Sequence, residues 1–254
     1  MRAPTARFAL YLAALLVAVC VFPATIAIWA QKSGAVAVQV EITKRGAAQQ
    51  TASASSADQS NVVIWLSPLD HAVEPLSNDK QGGAVPQVVQ RNKTFEPHLL
   101  VVQAGTMVQF PNKDPYFHNV FSLFNGKRFD LGFYEAGSSK SVRFDRPGVS
   151  FLFCNIHEEM SAMIVAVDTP YFGYSDGSGH VLIPNVPDGH YEMHAWYERS
   201  AAEDLKSLDR AVTISGSARA LDVVRVVENP NFTLAHKNKY GQEYVPPSGL
   251  GYSH

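Results

Sequence analysis

The most constraining feature of this sequence is a succession of short apolar runs that turn residues interrupt at regular intervals. Residues 36–42 alternate apolar and polar side chains, and residues 61–68 are rich in β-branched residues and end in a proline. Gly, Pro, Asn and Asp separate such runs about every 8–15 residues, which is typical of an antiparallel sandwich. Helical periodicity is weak everywhere, with residues 200–208 as its best candidate. The pattern therefore predicts an all-β chain.

Composition and charge exclude one class of partner. The chain has 21 Lys and Arg against 23 Asp and Glu, a net charge of -2, and it shows no long run of one charge. A nucleic-acid-binding chain would present a basic field, so we expect no nucleic-acid partner. The hydrophobic content of 46% and charged content of 17% are ordinary for globular domains.

The first 30 residues have the pattern of an export segment. Arg2 and Arg7 precede an apolar stretch over residues 8–22, and Pro23 follows it. Two interpretations stay open: a cleaved signal peptide, or an uncleaved anchor whose apolar character continues to Ala30. Both predict a periplasmic protein whose contact with the membrane is made only through this segment.

The number of cysteines limits what the exported part of the chain can form. The sequence holds only Cys20 and Cys154, and Cys20 lies in the export segment. The remaining chain thus has one thiol and cannot form an internal disulfide. Because oxidising compartments attack free thiols, the lone Cys154 calls for an explanation, and a bound metal is one way to protect it.

The sequence CNIHEEM places three soft or borderline metal ligands close together where an alternating run ends. Cys154, His157 and Met160 supply a thiolate, an imidazole and a thioether, which suit copper cycling between Cu(I) and Cu(II). The fourth ligand must come from elsewhere, and His118 at the start of an aromatic-rich strand is the candidate. Zinc is the chemical rival, but structural zinc rarely takes a thioether. A second thioether, Met163, reads as a strand residue, so Met160 is the preferred ligand.

These residues give the segment 85–168 a resemblance to the cupredoxins. Its C-x2-H-x2-M loop resembles the short ligand loop of amicyanin, and "FEPHLLVVQAGTMVQFPNKDPYFHNVFS" and "CNIHEEMSAMIVAVDTPYF" resemble plastocyanin-like, "methylamine utilization"-type periplasmic proteins. The resemblance implies a Greek-key sandwich and one type I copper, with His118, Cys154, His157 and Met160 as ligands. It also implies that the side chain of Asn119 ties the two ligand-bearing segments together.

The ligand loop departs from the amicyanin pattern in its charge. Glu158 and Glu159 stand where amicyanin-like loops have proline or apolar residues. An acidic rim beside the second histidine would suit a basic redox partner, so we expect a redox protein such as a c-type cytochrome or a dehydrogenase.

A second sandwich is predicted around the first. The stretch "DGSGHVLIPNVPDGHYEMHAWYE" resembles the carboxypeptidase-regulatory-like, or transthyretin-like, β-sandwich. We expect residues 36–69 and 171–228 to form this sandwich, with the cupredoxin inserted between them, and residues 229–254 to be an extended or disordered tail. The alternative keeps 36–69 as extra strands on the cupredoxin, and the pairing of residues 62–66 distinguishes the two.

Three functional hypotheses follow from these observations. The favoured one is an exported type I copper protein that carries single electrons and is not an enzyme. The alternatives are a copper-binding or trafficking module without a redox role, and a structural interaction protein with an empty site. A multicopper oxidase is disfavoured because its trinuclear centre needs H-x-H pairs, and the sequence contains none.

Overall fold

The computed structural model describes residues 33–44, 58–73, 84–123, 126–233 and 235–244. The predicted export segment lies outside these residues, as does most of the polar loop that precedes Gln59. Within the described residues, no helix has the length and apolar character needed to cross a membrane.

The described chain is almost entirely β-structure, with sixteen strands and one short helix. In chain order these are β1 (Ser33–Lys44), β2 (Val63–Pro68), β3 (Val89–Arg91), β4 (Thr94–Glu96), β5 (Leu99–Gln103), β6 (Thr106–Pro111), β7 (His118–Ser122), β8 (Phe129–Tyr134), β9 (Ser139–Phe144), β10 (Gly148–Phe153), β11 (Ser161–Val167), β12 (Phe172–Tyr174), β13 (His180–Pro187), β14 (Gly189–Trp196), α1 (Ala202–Lys206), β15 (Arg210–Ile214) and β16 (Val224–Glu228). The all-β prediction is confirmed, and the one helix lies in the weak helical window at 200–208.

The first two strands pair with strands from the end of the chain. β2 lies between β12 and β14 in a four-stranded sheet of order β12-β2-β14-β15. β1 pairs antiparallel with β13 and parallel with β16 in a three-stranded sheet. Strands β3–β11 form other sheets, so the strand pairing favours insertion over the alternative of extra strands. The exact domain bounds stay predictions.

The inserted strands place the first residue of β7 beside the loop that joins β10 to β11. They form a five-stranded sheet of order β5-β11-β10-β7-β8, with β6-β9 and β3-β4 as separate pairs. β10 and β11 pair antiparallel up to Phe153 and Ser161, so residues 154–160 form the loop between them. β7 pairs antiparallel with β10 at Phe121 and Phe153. This register carries His118, three residues before Phe121, past the end of β10 and alongside the loop.

Three clusters of buried apolar residues hold these sheets together: an outer core, an inner core and a smaller third cluster. The outer core fills the space between the three-stranded and four-stranded sheets and includes Val38, Leu66 and Tyr191. The inner core joins β6 and β9 to the five-stranded sheet and contains both Cys154 and Met160. The third cluster connects the five-stranded and four-stranded sheets.

Strand β2 contributes to two of these clusters at once. Ile64 and Leu66 belong to the outer core, whereas Val63 and Trp65 belong to the third cluster, where they meet Val165 of β11. Because successive side chains on a strand point to opposite faces, a strand buried on both faces must be apolar throughout. This explains why the segment around β2 does not alternate in the sequence.

A histidine–glutamate pair adds a polar contact between the five-stranded sheet and the four-stranded sheet. His98 Nε2 lies 3.1 Å from Glu198 Oε2, and His98 Nδ1 lies 3.2 Å from the carbonyl oxygen of Ser161. Both partners are acceptors, so both ring nitrogens donate when the imidazole is protonated. The hydrogen bond and charge of Glu198 raise the pKa of His98 above its usual 6.5, against the opposing effect of burial.

We predict that this pair makes stability depend on pH in one direction. A group whose pKa is raised on folding contributes stability that is fully present below its unfolded pKa and is lost as pH rises through its folded pKa. Urea unfolding of wild type and His98→Gln should therefore differ most near pH 5.5 and converge near pH 8.5. The control is His71→Gln at an exposed position, and an equal difference at both pH values would contradict the prediction.

Candidate metal centre

Three metal-ligating side chains converge in the inner core. Cys154 Sγ lies 3.8 Å from His118 Nδ1 and 3.6 Å from His157 Nδ1. The three donor atoms all lie within 4.8 Å of one another. Cys154 and His118 are fully buried and His157 is half-buried. The structure therefore brings together three of the predicted ligands from two distant segments.

Backbone hydrogen bonds shape the loop that carries two of these ligands. The amide of Cys154 donates to the Met160 carbonyl over 3.3 Å, and the amide of Met160 donates to the His157 carbonyl over 3.2 Å. The loop is thus a closed turn fixed at both ends by the β10–β11 ladder. His118 is held independently because it begins β7.

The structure places the two candidate thioethers on different faces. Met160 is fully buried in the inner core with Cys154. Met163 is also buried, but it alternates along β11 with Ala162 and Ile164 of the inner core and lies on the face of Val165. Met160 therefore lies on the side of the three converging donors. Its role as the axial ligand stays a prediction.

Asp114 orients His118 and is a residue that the sequence analysis missed. His118 Nε2 lies 2.7 Å from Asp114 Oδ2 inside the protein. The backbone amides of Asn92 and Lys93 donate to the same carboxylate over 2.6 and 3.0 Å. Because a carboxylate only accepts, Nε2 carries the proton and leaves the Nδ1 lone pair free on the side of Cys154.

The hydrogen bonds also set the charge of Asp114. Burial raises the pKa of this carboxyl, but hydrogen bonds from Lys93, His118 and Asn92 outweigh burial and leave the pKa below its usual value. The group is therefore an anion at neutral pH and a strong acceptor for the imidazole N–H. No sequence signal pointed to it, because the chain between β6 and β7 is irregular and has no period that relates Asp114 to His118.

Asn119 connects differently from what the cupredoxin resemblance implies. Its side-chain Nδ2 donates to Asp130 Oδ1 of β8 over 2.7 Å, so it joins β7 to β8 and does not itself reach the ligand loop. Its backbone, not its side chain, hydrogen-bonds the Cys154 sulfur. The physical reason is strand alternation: Val120 of β7 lies in the inner core, so Asn119 points to the other face.

Burial favours the neutral forms of the Cys154 thiol and the His157 imidazole. Burial raises the pKa of the Cys154 thiol, although hydrogen bonds from the backbone of Asn119, Ile156, His157 and Asn155 oppose that rise. Burial is the main cause that lowers the pKa of His157, and it favours the neutral imidazole. Because a buried thiolate is stable only beside a positive charge, a metal ion would complete the site.

The two sulfur–nitrogen separations fit one shared metal ion. Metal–sulfur bonds of about 2.3 Å and metal–nitrogen bonds of about 2.0–2.1 Å, at bond angles of about 110–120°, separate sulfur and nitrogen by roughly 3.5–3.8 Å. The observed separations of 3.6 and 3.8 Å agree with this. With the thioether of Met160 nearby, a donor set of one thiolate, two imidazoles and one thioether favours copper over zinc.

Comparisons with solved structures found copper proteins. A novel purple cupredoxin from Nitrosopumilus maritimus is 21% identical over 32% of this chain and 99% of its own, with a TM-score of 0.30. A Cu-containing nitrite reductase from Thermus scotoductus is 23% identical over 39% of this chain and 24% of its own, with a TM-score of 0.32. A Cu(I) form of an amicyanin mutant is 16% identical over 43% of this chain and 100% of its own, with a TM-score of 0.32.

These likenesses are partial. The chain spans about a quarter of the nitrite reductase that it matches. No protein-family model matches the sequence, and no curated protein matches it. At these TM-scores the matches carry no argument about function, which has to be inferred from the side chains themselves.

We predict that Asp114→Ala weakens metal binding. Without the carboxylate, the His118 ring loses the partner that fixes its tautomer and orientation, and Cu(I) affinity should fall about 10–100-fold. Competition with a coloured Cu(I) chelator measures this, with near-ultraviolet circular dichroism to check that the variant is folded. The control is Asp145→Ala, which removes an exposed carboxylate paired with Lys127. Unchanged affinity in a folded Asp114→Ala protein would contradict the prediction.

Proposed function

We propose that this protein is an exported type I copper protein that carries single electrons and catalyses no reaction of its own. The observation that supports the proposal is the buried convergence of the Cys154 sulfur and the Nδ1 atoms of His118 and His157 within 4.8 Å. With Met160 from the same loop, this is a donor set that suits a blue-copper electron-transfer site.

The surrounding residues supply what such a centre requires. Copper bound here would exchange one electron between the Cu(I) and Cu(II) states. The β10–β11 ladder and the start of β7 hold the ligands from two fixed segments, and Asp114 orients His118. Rigid ligands leave little to rearrange when the charge changes, and burial of Cys154 excludes water from its sulfur.

The half-buried side chain of His157 is the least covered of the three ligands and is the proposed electron exit. Its ring lies 5.9 Å from that of Tyr116, and Ile156, Glu158 and Glu159 are exposed beside it. The two exposed glutamates support a redox partner with a basic surface, such as a c-type cytochrome. We also propose a periplasmic location, because the sequence predicts an export segment at residues 1–30 and a metal would protect the lone thiol of the remaining chain.

The copper proposal has a direct spectroscopic test. Adding Cu(II) to the protein should produce the intense visible absorption of a copper–thiolate bond, and Cys154→Ser should abolish it. Met163→Leu is the matched control, since it removes a buried thioether from the face of β11 opposite the site, and it should keep the band. A colourless, redox-silent complex would favour a trafficking module, and no binding at all would favour a structural protein.

The proposed partner chemistry predicts a dependence on ionic strength. Electron transfer to a basic c-type cytochrome should slow as salt rises, because opposite charges steer the encounter. Stopped-flow absorption measures the rate. The double variant Glu158→Gln with Glu159→Gln should be slower at low salt and less sensitive to added salt, whereas Glu192→Gln with Glu203→Gln should match wild type. A wild-type rate independent of ionic strength would refute the acidic docking rim.

A further inference from the structure

We propose that the C-terminal strap, residues 235–244, is part of the metal centre, and that Tyr244 and His236 are positioning residues for the ligand loop. The inference deepens the proposed function and rests on it, since it concerns the same loop. The sequence predicts an extended or disordered tail here, whereas in the structure the strap contacts the ligand loop at several points.

Tyr244 reaches the backbone of the cysteine ligand. Its hydroxyl donates to the carbonyl oxygen of Cys154 over 2.6 Å. That carbonyl directly follows the last residue of β10, at the point where the chain leaves the ladder and enters the loop. The hydrogen bond therefore fixes the peptide that carries the thiol.

His236 bridges the two sides of the loop. Its ring stacks on Phe153, with centroids 3.9 Å apart and planes inclined by 29°. Its Nε2 lies 2.9 Å from the carbonyl oxygen of Glu158, and its Nδ1 lies 3.2 Å from the Tyr244 hydroxyl. Contacts at Phe153 and Glu158 flank Cys154 and His157, so His236 spans the segment that holds both ligands.

Lys239 links the strap to both ligand-bearing segments. Its backbone amide donates to Asn155 Oδ1 over 3.0 Å, and its Nζ donates to Asp130 Oδ2 over 2.8 Å. Asp130 in turn accepts the side chain of Asn119, next to His118. The connection that the cupredoxin resemblance assigned to Asn119 alone runs here through Asn119, Asp130, Lys239 and Asn155.

These contacts fall on the ring of Phe153, the backbone carbonyls of Cys154 and Glu158, and the side chain of Asn155, none of which is a donor atom of the metal site. A loop held in this way keeps its ligands in place before any metal arrives, which lowers the cost of binding. The strap would therefore set the affinity of the centre and the ease with which it changes oxidation state.

The first measurement uses the metal-free protein, so that it does not depend on copper. Hydrogen exchange of the Cys154 and Met160 amides should be about five- to tenfold faster in Tyr244→Phe and in His236→Phe, because each variant loses hydrogen bonds while keeping an aromatic ring. Tyr174→Phe, which deletes an exposed hydroxyl on β12, is the matched control. Exchange at the wild-type rate in both strap variants would overturn the inference.

The second measurement adds copper and separates the two proposals. If wild type binds Cu(I) in the chelator competition, the strap variants should bind more weakly, show a shifted visible band and have a different reduction potential. Unchanged affinity, band and potential would overturn the role of the strap in the centre. If wild type binds no copper, the proposed function fails by itself, and the exchange result still decides whether the strap holds the loop.

Discussion

The pairing of β7 with β10 is the interaction on which the candidate centre depends. Antiparallel pairing at Phe121 and Phe153 carries His118 beyond the end of β10, to the loop that begins at Cys154. A shift of one residue would turn His118 toward the opposite face and away from the sulfur. The buried rings of Phe121 and Phe153, 5.9 Å apart, reinforce the register that brings the two segments together.

The other contacts of the site hold His118 and the ligand loop in the positions that this register gives them. Asp114 fixes the orientation of the His118 ring through Nε2, the nitrogen that does not face Cys154. The hydrogen bond from the Cys154 amide to the Met160 carbonyl closes the ligand loop. The strap then covers the loop and joins it to β8 through Asp130. Farther away, the third apolar cluster fastens β11 to β2, so the sheet that carries the loop is supported by the second set of strands.

Sequence periodicity predicted the parts of the structure in which side chains alternate. The all-β class and the chemical identity of the ligand loop followed from local pattern and donor type. Strands β3 and β4 were missed because three residues are too few for a period, and β8 because Gly132 and its exposed residues obscure alternation.

The contacts that Asp114 and the strap make with the site could not be predicted from the sequence, for a different reason. Asp114 and the strap act through loops, where spacing along the chain carries no information about distance in space. Asn119 was assigned by resemblance, and the strand face on which it lies sends its side chain to Asp130 instead.

We propose that one copper ion is held by a thiolate and two imidazoles from β7 and the ligand loop. X-ray absorption at the copper edge of the copper-loaded protein tests it most directly. We predict one short copper–sulfur distance together with two imidazole nitrogens, and loss of the sulfur signal in Cys154→Ser. A copper environment made only of nitrogen and oxygen donors would contradict the account.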